Sequence, residues 1–229
     1  MLDLNLVQKI AIWIPPVMLG ITLHEVSHGW VASKLGDTTA KMMGRLTLNP
    51  LKHIDPVGTI LIPGALLLLQ SGFIFGYAKP VPINWRNLRQ PKRDMAIVAA
   101  AGPLANLLMA MVWALLVRAG PLFGDAGIAL VYMGVAGIFI NTVLMVLNLL
   151  PLPPLDGGRV MTSLLPGPLA YQFSRIEPFG FMILIALLIT GVLGKILLPV
   201  ITVVMGGLAM LTGLSGKTFT QVLYSLLGI

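Results

Sequence analysis

Long apolar runs separated by short polar connections make up the chain. Five uncharged runs occupy residues 56–78, 95–117, 126–155, 178–194 and 196–216. A sixth run, between Lys9 and Lys34, contains only three ionisable side chains. Because a helix of about 20 apolar residues spans a bilayer, the pattern predicts an all-α polytopic membrane protein with about five to six membrane segments. The polar connections have only the length of loops, so we predict a single membrane domain over residues 1–229.

The composition supports the lipid bilayer as the environment of this chain. Of the 229 residues, 57% are hydrophobic and 10% are charged, whereas a soluble domain has about 25% charged residues. A soluble enzyme, a disordered chain and a nucleic-acid-binding protein are therefore excluded as interpretations. The net charge of +7 comes mostly from the short connections, where Lys and Arg set membrane orientation. Cysteine is absent, so any metal site has to use His, Asp or Glu.

One apolar segment contains the metal-binding pattern HExxH, formed by residues 24–28. Residues i and i+4 of a helix lie about 40° apart around its axis, so His24 and His28 can reach one metal ion while Glu25 remains free to move a proton. An ionisable side chain within a membrane segment is expensive to bury and is by default a functional candidate. The alternative, in which the two histidines only form hydrogen bonds between helices, leaves Glu25 unexplained.

A catalytic zinc ion has three protein ligands and an open fourth position, so a third ligand is needed. The candidates are His53, Asp55, Asp125, Asp156 and Glu177. Asp156 follows a segment with three prolines, which cannot continue a helix and should leave irregular backbone beside a buried or wet site. The alternative for Asp156 is a simple helix cap at the membrane boundary.

The two motifs together resemble the site-2 protease family of intramembrane zinc metalloproteases. The resemblance rests on HExxH in the first membrane helix and on NxxPxPPLDGG over residues 148–158. Three other stretches agree with the compact bacterial and archaeal branch of that family, which lacks a PDZ domain: residues 44–56, Lys79–Pro82 and Ala101–Asn106. The match covers about residues 20–160, so the catalytic core is expected at about 6–160, with C-terminal membrane helices at about 176–216.

The resemblance implies a site and an activity. It implies one zinc ion per chain, held by His24, His28 and Asp156, with Glu25 as the general base and Asn148 as a polar group near the scissile carbonyl. The expected activity is hydrolysis of peptide bonds within or near transmembrane helices of a transmembrane protein substrate, as in regulated intramembrane proteolysis. The alternative is a zinc-binding membrane protein that transports metal or binds helices without cleaving them.

The metal site constrains the topology. His24, His28 and Asp156 can share one ion only if the ends of their two segments lie at the same depth, so the segment at 95–117 runs in the opposite direction. The loops on either side of residues 56–78 then lie on one side of the membrane, and their positive charge places them and the active site toward the cytoplasm of a multi-pass cell-membrane protein. The run at 56–78 should therefore dip in and return, with bends at Pro63–Gly64 and Gly72–Gly76. The alternative is an ordinary crossing in which the preceding polar loop re-enters.

Residues 44–48 alternate polar and apolar side chains, which predicts a short β-strand beside the zinc site, so that a re-entrant or short β-hairpin element is expected near the active site. A strand edge could bind an unwound substrate through backbone hydrogen bonds. The alternative is an irregular interfacial loop, and we expect His53 to shape this region. The predicted substrate-binding residues are Gly44, Arg45, Leu46, Thr47, Leu48 and His53.

Overall fold

The computed structural model describes residues 4–68 and 76–228, and every regular element in that part of the chain is helical. The first half contains α1 (Leu6–Lys34), α2 (Thr39–Met42), α3 (Ile62–Leu68), α4 (Pro91–Ala119) and α5 (Asp125–Asn148). The second half contains α6 (Asp156–Leu164), α7 (Gly167–Ser174), α8 (Glu177–Ile189), α9 (Val192–Thr212) and α10 (Gly216–Leu227). The predicted all-α fold is thus confirmed.

Four of these helices, α1, α4, α5 and α9, are long and apolar enough to cross a membrane. Helices α7 and α8 form a pair bent by 60°, and if this pair is one span the number rises to five. The structure therefore agrees with the lower end of the predicted number of segments, and the chain is a membrane protein with several spanning helices.

Helix α4 is the centre of the bundle and packs against α1, α5, α6 and α9. Its contact with α5 is close because α5 has glycines where the two helices meet. A Cβ atom at Gly134 would lie 2.4 Å from the Val117 side chain, and one at Gly137 would lie 2.3 Å from the Trp113 ring. Small residues allow such close backbone approach where water provides no driving force between helices.

The apolar run at 56–78 returns to the place where it starts. It begins with a π-helical turn at Pro56–Leu61 that continues into α3. The Tyr77 N–H donates to the Gly58 carbonyl at 3.0 Å, the Thr59 hydroxyl donates to the Tyr77 carbonyl at 2.9 Å, and the Lys79 N–H donates to the His53 carbonyl at 2.9 Å. Because both ends are hydrogen-bonded to each other, the geometry fits the run that dips in and returns rather than a single crossing.

One of the predicted bends in this run is wrong. Pro63 and Gly64 lie within α3, which continues directly from the π-helical turn, so the chain does not leave the helix at these residues. The other predicted bend, at Gly72–Gly76, falls almost entirely on residues 69–75, outside the described residues.

The predicted β-strand over Gly44–Leu48 is not formed in the described chain, where this segment is irregular. Its contact with residues 79–80 is made by a side chain rather than by a backbone ladder, since the Arg45 guanidinium donates to the carbonyls of Lys79 and Pro80. Alternating side chains show only that a segment suits a strand, and a strand also needs a paired backbone neighbour. The assignment of this segment to substrate stays a prediction.

Candidate metal centre

Three predicted ligands from distant parts of the chain meet at one point. The Nε2 atoms of His24 and His28 are 3.1 Å apart, and they lie 3.2 and 3.3 Å from Asp156 Oδ2. Metal–ligand bonds of about 2.0–2.1 Å in a tetrahedral site separate neighbouring ligand atoms by about 3.3 Å. All three residues are at most 9% exposed. The arrangement therefore has the size and the burial of a zinc site.

The other ring nitrogens fix which tautomer each histidine adopts. His28 Nδ1 lies 2.7 Å from the Val98 carbonyl oxygen, and His24 Nδ1 lies 2.6 Å from Asn106 Oδ1. Both partners are acceptors, so each Nδ1 carries a hydrogen and each Nε2 presents a lone pair. Two lone pairs and a carboxylate oxygen then converge without a donor between them. A cation at their centre resolves that repulsion, and the donor set of two imidazoles and one carboxylate suits zinc.

Asn106 is itself held in one orientation by a buried polar chain. Its Nδ2 donates to the Gly20 carbonyl at 3.1 Å and to Asn141 Oδ1 at 3.0 Å, and Asn141 Nδ2 donates to the Gly137 carbonyl at 2.9 Å. Both asparagines are 0% exposed. Because the backbone carbonyls can only accept, Asn106 has to direct its oxygen toward His24. The chain thus connects α1, α4 and α5 to the orientation of one ligand.

Glycine at position 102 gives the two imidazoles their space. A Cβ atom there would lie 2.4 Å from His28 Nε2 and 2.6 Å from His24 Cε1. Val98, Gly102 and Asn106 follow one another at intervals of four, so they share one face of α4. Opposite the two histidines of α1, this face presents the carbonyl oxygen of Val98, the open space at Gly102 and the side-chain oxygen of Asn106.

The third ligand is positioned by the proline-rich segment after α5. Asp156 is the first residue of α6, and the next two residues are glycines packed against backbone. A Cβ atom at Gly157 would lie 2.3 Å from the Leu149 carbonyl oxygen, and one at Gly158 would lie 2.4 Å from the Pro153 nitrogen. The buried Asp156 Oδ2 has no hydrogen-bond donor within the described chain, which fits an oxygen that a metal would bind.

Glu25 lies beside the ligands on α1 and is held by a loop. Its Oε2 accepts a hydrogen bond from the Val81 N–H at 2.8 Å. The second carboxylate oxygen is not used in that contact and can serve a proton-transfer role.

The remaining predicted residues are placed as follows. The Asn148 side chain donates to the Leu144 carbonyl of its own helix at 2.9 Å. His53 is buried, and its Nε2 lies 2.9 Å from the Thr47 carbonyl oxygen, which agrees with a loop-shaping role. Of the five candidates for a third ligand, the structure groups only Asp156 with the two histidines among the described residues.

Gly102 and Asn106 belong to the stretch Ala101–Asn106, which the sequence marks only by its resemblance to the family, and Val98 and Asn141 are not among the predicted site residues. An asparagine in an apolar segment is the only signal that could have indicated Asn141. Val98 contacts His28 through its backbone carbonyl, so the contact cannot be predicted from the type of side chain at this position.

Comparison with known proteins gives a consistent result. A model of peptidase family M50 matches residues 123–191. The chain is 38% identical over 190 residues to YwhC of Bacillus subtilis, which covers 81% of this chain and 83% of YwhC. It is 34% identical over 179 residues to Rip2 of Mycolicibacterium smegmatis, which covers 78% of this chain and 66% of Rip2.

A third relative is MJ0611 of Methanocaldococcus jannaschii, 30% identical over 167 residues, with 72% of this chain and 74% of the relative covered. All three are named as candidate zinc metalloproteases. No solved structure matches the chain significantly. The long match to YwhC and the family model lead to the same assignment: this chain belongs to peptidase family M50, the site-2 protease family, and is a zinc metalloprotease of the membrane.

Proposed function

We propose that this protein is an intramembrane protease that hydrolyses peptide bonds within or near transmembrane helices of membrane-protein substrates. The observation that carries this proposal is the convergence of two imidazole lone pairs and a carboxylate oxygen beside Glu25 at a buried point of α1. One zinc ion per chain would be held by His24, His28 and Asp156. When bound, zinc supplies Lewis acidity and lowers the pKa of a water molecule toward about 7.

Glu25 is assigned as the general base. Its Oε2 is engaged by Val81, so the free oxygen accepts a proton from the attacking water and then delivers it to the leaving nitrogen. The new carbon–oxygen bond forms first, and the carbon–nitrogen bond of the substrate breaks when the leaving nitrogen receives the proton. Asn148 uses one amide hydrogen on Leu144, and we assign its second N–H to the substrate carbonyl oxygen, where negative charge develops.

Substrate binding is assigned to residues 46–48 and His53, which follow the turn at Gly44 and Arg45. Within the described chain, Leu46 and Leu48 form no backbone–backbone hydrogen bond, so their peptide groups can pair with an unwound substrate segment. Such pairing would replace hydrogen bonds that a transmembrane helix loses when it unwinds. We place the site toward the cytoplasm, because the polar loops of this side contain many of the basic residues.

The test compares the wild-type protein with Glu25→Gln, which keeps the shape of the side chain and removes the base. Glu177→Gln is the matched control, since Glu177 is the only other glutamate of the chain. The measurements are zinc content of the detergent-purified protein and cleavage of a transmembrane-helix substrate. We expect zinc in all three proteins and at least a 10²-fold loss of cleavage in Glu25→Gln alone. Zinc in all three with cleavage in none would instead favour metal transport or helix binding.

A further inference from the structure

The segment that contacts Glu25 has few backbone hydrogen-bond donors. Residues 80–82 read Pro-Val-Pro, and proline has no N–H, so Val81 supplies the only backbone donor of the three. That single donor is directed at Glu25 Oε2 at a distance of 2.8 Å. The prolines also fix their own φ angles, and each restricts the preceding residue to extended backbone. The segment therefore presents one N–H from a stiff backbone to the base.

The other side of the same peptide group contacts a cation. Arg45 Nη2 donates to the Pro80 carbonyl oxygen at 3.3 Å and to the Lys79 carbonyl oxygen at 3.0 Å. The Pro80 carbonyl and the Val81 N–H belong to one planar peptide unit. A positive charge on the carbonyl polarises that unit and strengthens its N–H as a donor, since hydrogen bonds in series reinforce one another. Arg45 and Glu25 are thus connected through a single peptide group.

A glycine turn positions Arg45 for this contact. After α2 the chain forms a Schellman motif, in which the Gly44 N–H donates to the Lys41 carbonyl at 3.1 Å and the Arg45 N–H donates to the Ala40 carbonyl at 2.9 Å. Gly44 has φ +63°, a left-handed conformation that glycine adopts without cost and that asparagine also tolerates. The turn therefore fixes the backbone from which the guanidinium extends.

The Val81 side chain fixes the other end of the connection. Val81 is 5% exposed, and it packs against α1 one turn beyond Glu25. A Cβ atom at Gly29 would lie 2.8 Å from Val81 Cγ1, so glycine at position 29 leaves the space that Val81 occupies. The peptide group between Pro80 and Val81 is thereby held against the helix that carries the base.

We propose that Arg45 is a positioning residue that orients the Glu25 carboxylate through the Pro80–Val81 peptide. The inference rests on the proposed function, because it treats Glu25 as the base. It gives Arg45 a role distinct from direct substrate binding. Removing the guanidinium weakens the Val81 donor and lets the Glu25 side chain leave its position, while the ligands His24, His28 and Asp156 keep their own contacts.

The kinetic test uses Arg45→Gln, with Lys41→Gln as the control that removes one exposed positive charge from α2, four residues earlier. We expect Arg45→Gln to lower kcat about tenfold, a part of the roughly 10²–10⁴-fold that general acid–base catalysis contributes. KM and zinc content should stay within about twofold of wild type, since a base acts in the transition state and not in ground-state binding. A rise in KM at unchanged kcat would show that Arg45 binds substrate and would overturn the proposal.

A spectroscopic test does not depend on activity. Carbonyl-¹³C proline and ¹⁵N valine labels select the Pro–Val amides in an NMR spectrum, and Val81→Ala identifies the signal of residue 81 by its loss. We expect the Val81 amide proton to move upfield in Arg45→Gln and to stay in place in Lys41→Gln. An unmoved signal overturns the proposal. If the wild type cleaves nothing, the proposed function fails while this spectrum still tests the connection.

Gly44 provides a variant pair that leaves Arg45 itself intact. Gly44→Val forces a β-branched residue into the left-handed conformation and should reproduce the loss in kcat, whereas Gly44→Asn adopts that conformation at lower cost and should lose less of kcat. Equal activities of the two variants, with a Val81 signal unmoved in both, would contradict the assigned role of the turn.

Discussion

The two halves of the active site are formed by different kinds of backbone structure. The ligand half consists of helices, in which Val98, Gly102 and Asn106 of α4 face His24 and His28 of α1. The base half consists of loops, in which residues 44–45 and 79–82 hold Glu25. The metal ligands and the asparagine that orients them are at most 9% exposed, and the second half is formed by the polar connections between helices.

The difference follows from what each half has to do. Three ligand atoms must keep fixed separations, and packed helices hold side chains more rigidly than loops do. A base has to meet water and a substrate peptide, both of which need a path that hydrocarbon does not offer. Loops can provide such a path because their backbone groups tolerate solvent. Substitutions in the two halves should therefore separate zinc binding from turnover.

The largest effect is expected for Gly102→Ala. The added methyl group would lie within 2.6 Å of both imidazoles, so at least one ligand has to leave its position. We expect zinc affinity to fall by at least about 10²-fold and cleavage to be lost with it. Zinc affinity is measured by competition with a chelator of known affinity.

Gly206→Ala is the matched control for this substitution, since a Cβ atom at Gly206 of α9 meets nothing within 4 Å. It makes the same chemical change in a membrane helix and should leave zinc affinity unaltered. Retention of wild-type zinc affinity by Gly102→Ala would show that the imidazoles do not need the space assigned to them.

A smaller effect on the same half is expected for Asn106→Leu, which removes the acceptor of His24 Nδ1 and leaves Asn141 without its donor. Loss of such a supporting contact lowers metal affinity about 10–100-fold in comparable sites. The measurement is again chelator competition, and Asn141→Leu should show a weaker change of the same sign. A lower kcat at unchanged zinc affinity in Asn106→Leu would contradict the assignment of this contact to zinc binding.

The smallest effect on zinc binding is expected at Asp37, whose contacts lie next to the base half. Burial raises the pKa of this carboxyl group, but hydrogen bonds from Thr39, Asn87 and the Asn84 N–H outweigh it, so the pKa lies below its usual value of 3.8. Asp37 connects the end of α1 to the loop after Val81. Asp37→Asn should lower the free energy of unfolding by about 1–3 kcal/mol at neutral pH and leave zinc affinity unchanged.

The pH dependence of stability tests whether the ionised Asp37 carboxylate is the source of this stabilisation. A carboxyl group whose pKa is lower in the folded state stabilises the protein above its unfolded pKa, and the stabilisation is lost as the pH falls through the folded pKa. The Tm difference between wild type and Asp37→Asn should therefore be largest above about pH 4 and shrink on further acidification. A constant difference across this range would contradict the ionised carboxylate as its source.

The ligand half was largely predictable from the sequence. HExxH spacing on a helix requires His24 and His28 to share a face, and the proline-rich segment singles out Asp156. The structure brings these three together. The return of the chain at 56–78 also followed from the sequence, because a metal shared by two segments fixes which loops lie on the same side.

The base half was less predictable because its contacts depend on backbone groups. Neither the Val81 N–H nor the Pro80 carbonyl has a signature in residue type, and the alternation at 44–48 indicated a strand where the chain has a turn and a guanidinium contact. Asn141 was missed for a related reason. A single polar residue in an apolar segment reveals that it needs a partner, but it does not reveal which helix supplies one.

The chain of contacts from α5 through Asn106 to His24 has a consequence for biosynthesis. The ribosome makes α1 first, so His24, Glu25 and His28 enter the membrane before α4 and α5 exist. An ionisable side chain such as Glu25 is expensive to place in a lone membrane helix. The acceptors that satisfy the histidines arrive only with α4, and the oxygen that completes the triad arrives only with α6. Until these contacts form, the incompletely synthesised chain keeps unpaired polar side chains in the membrane.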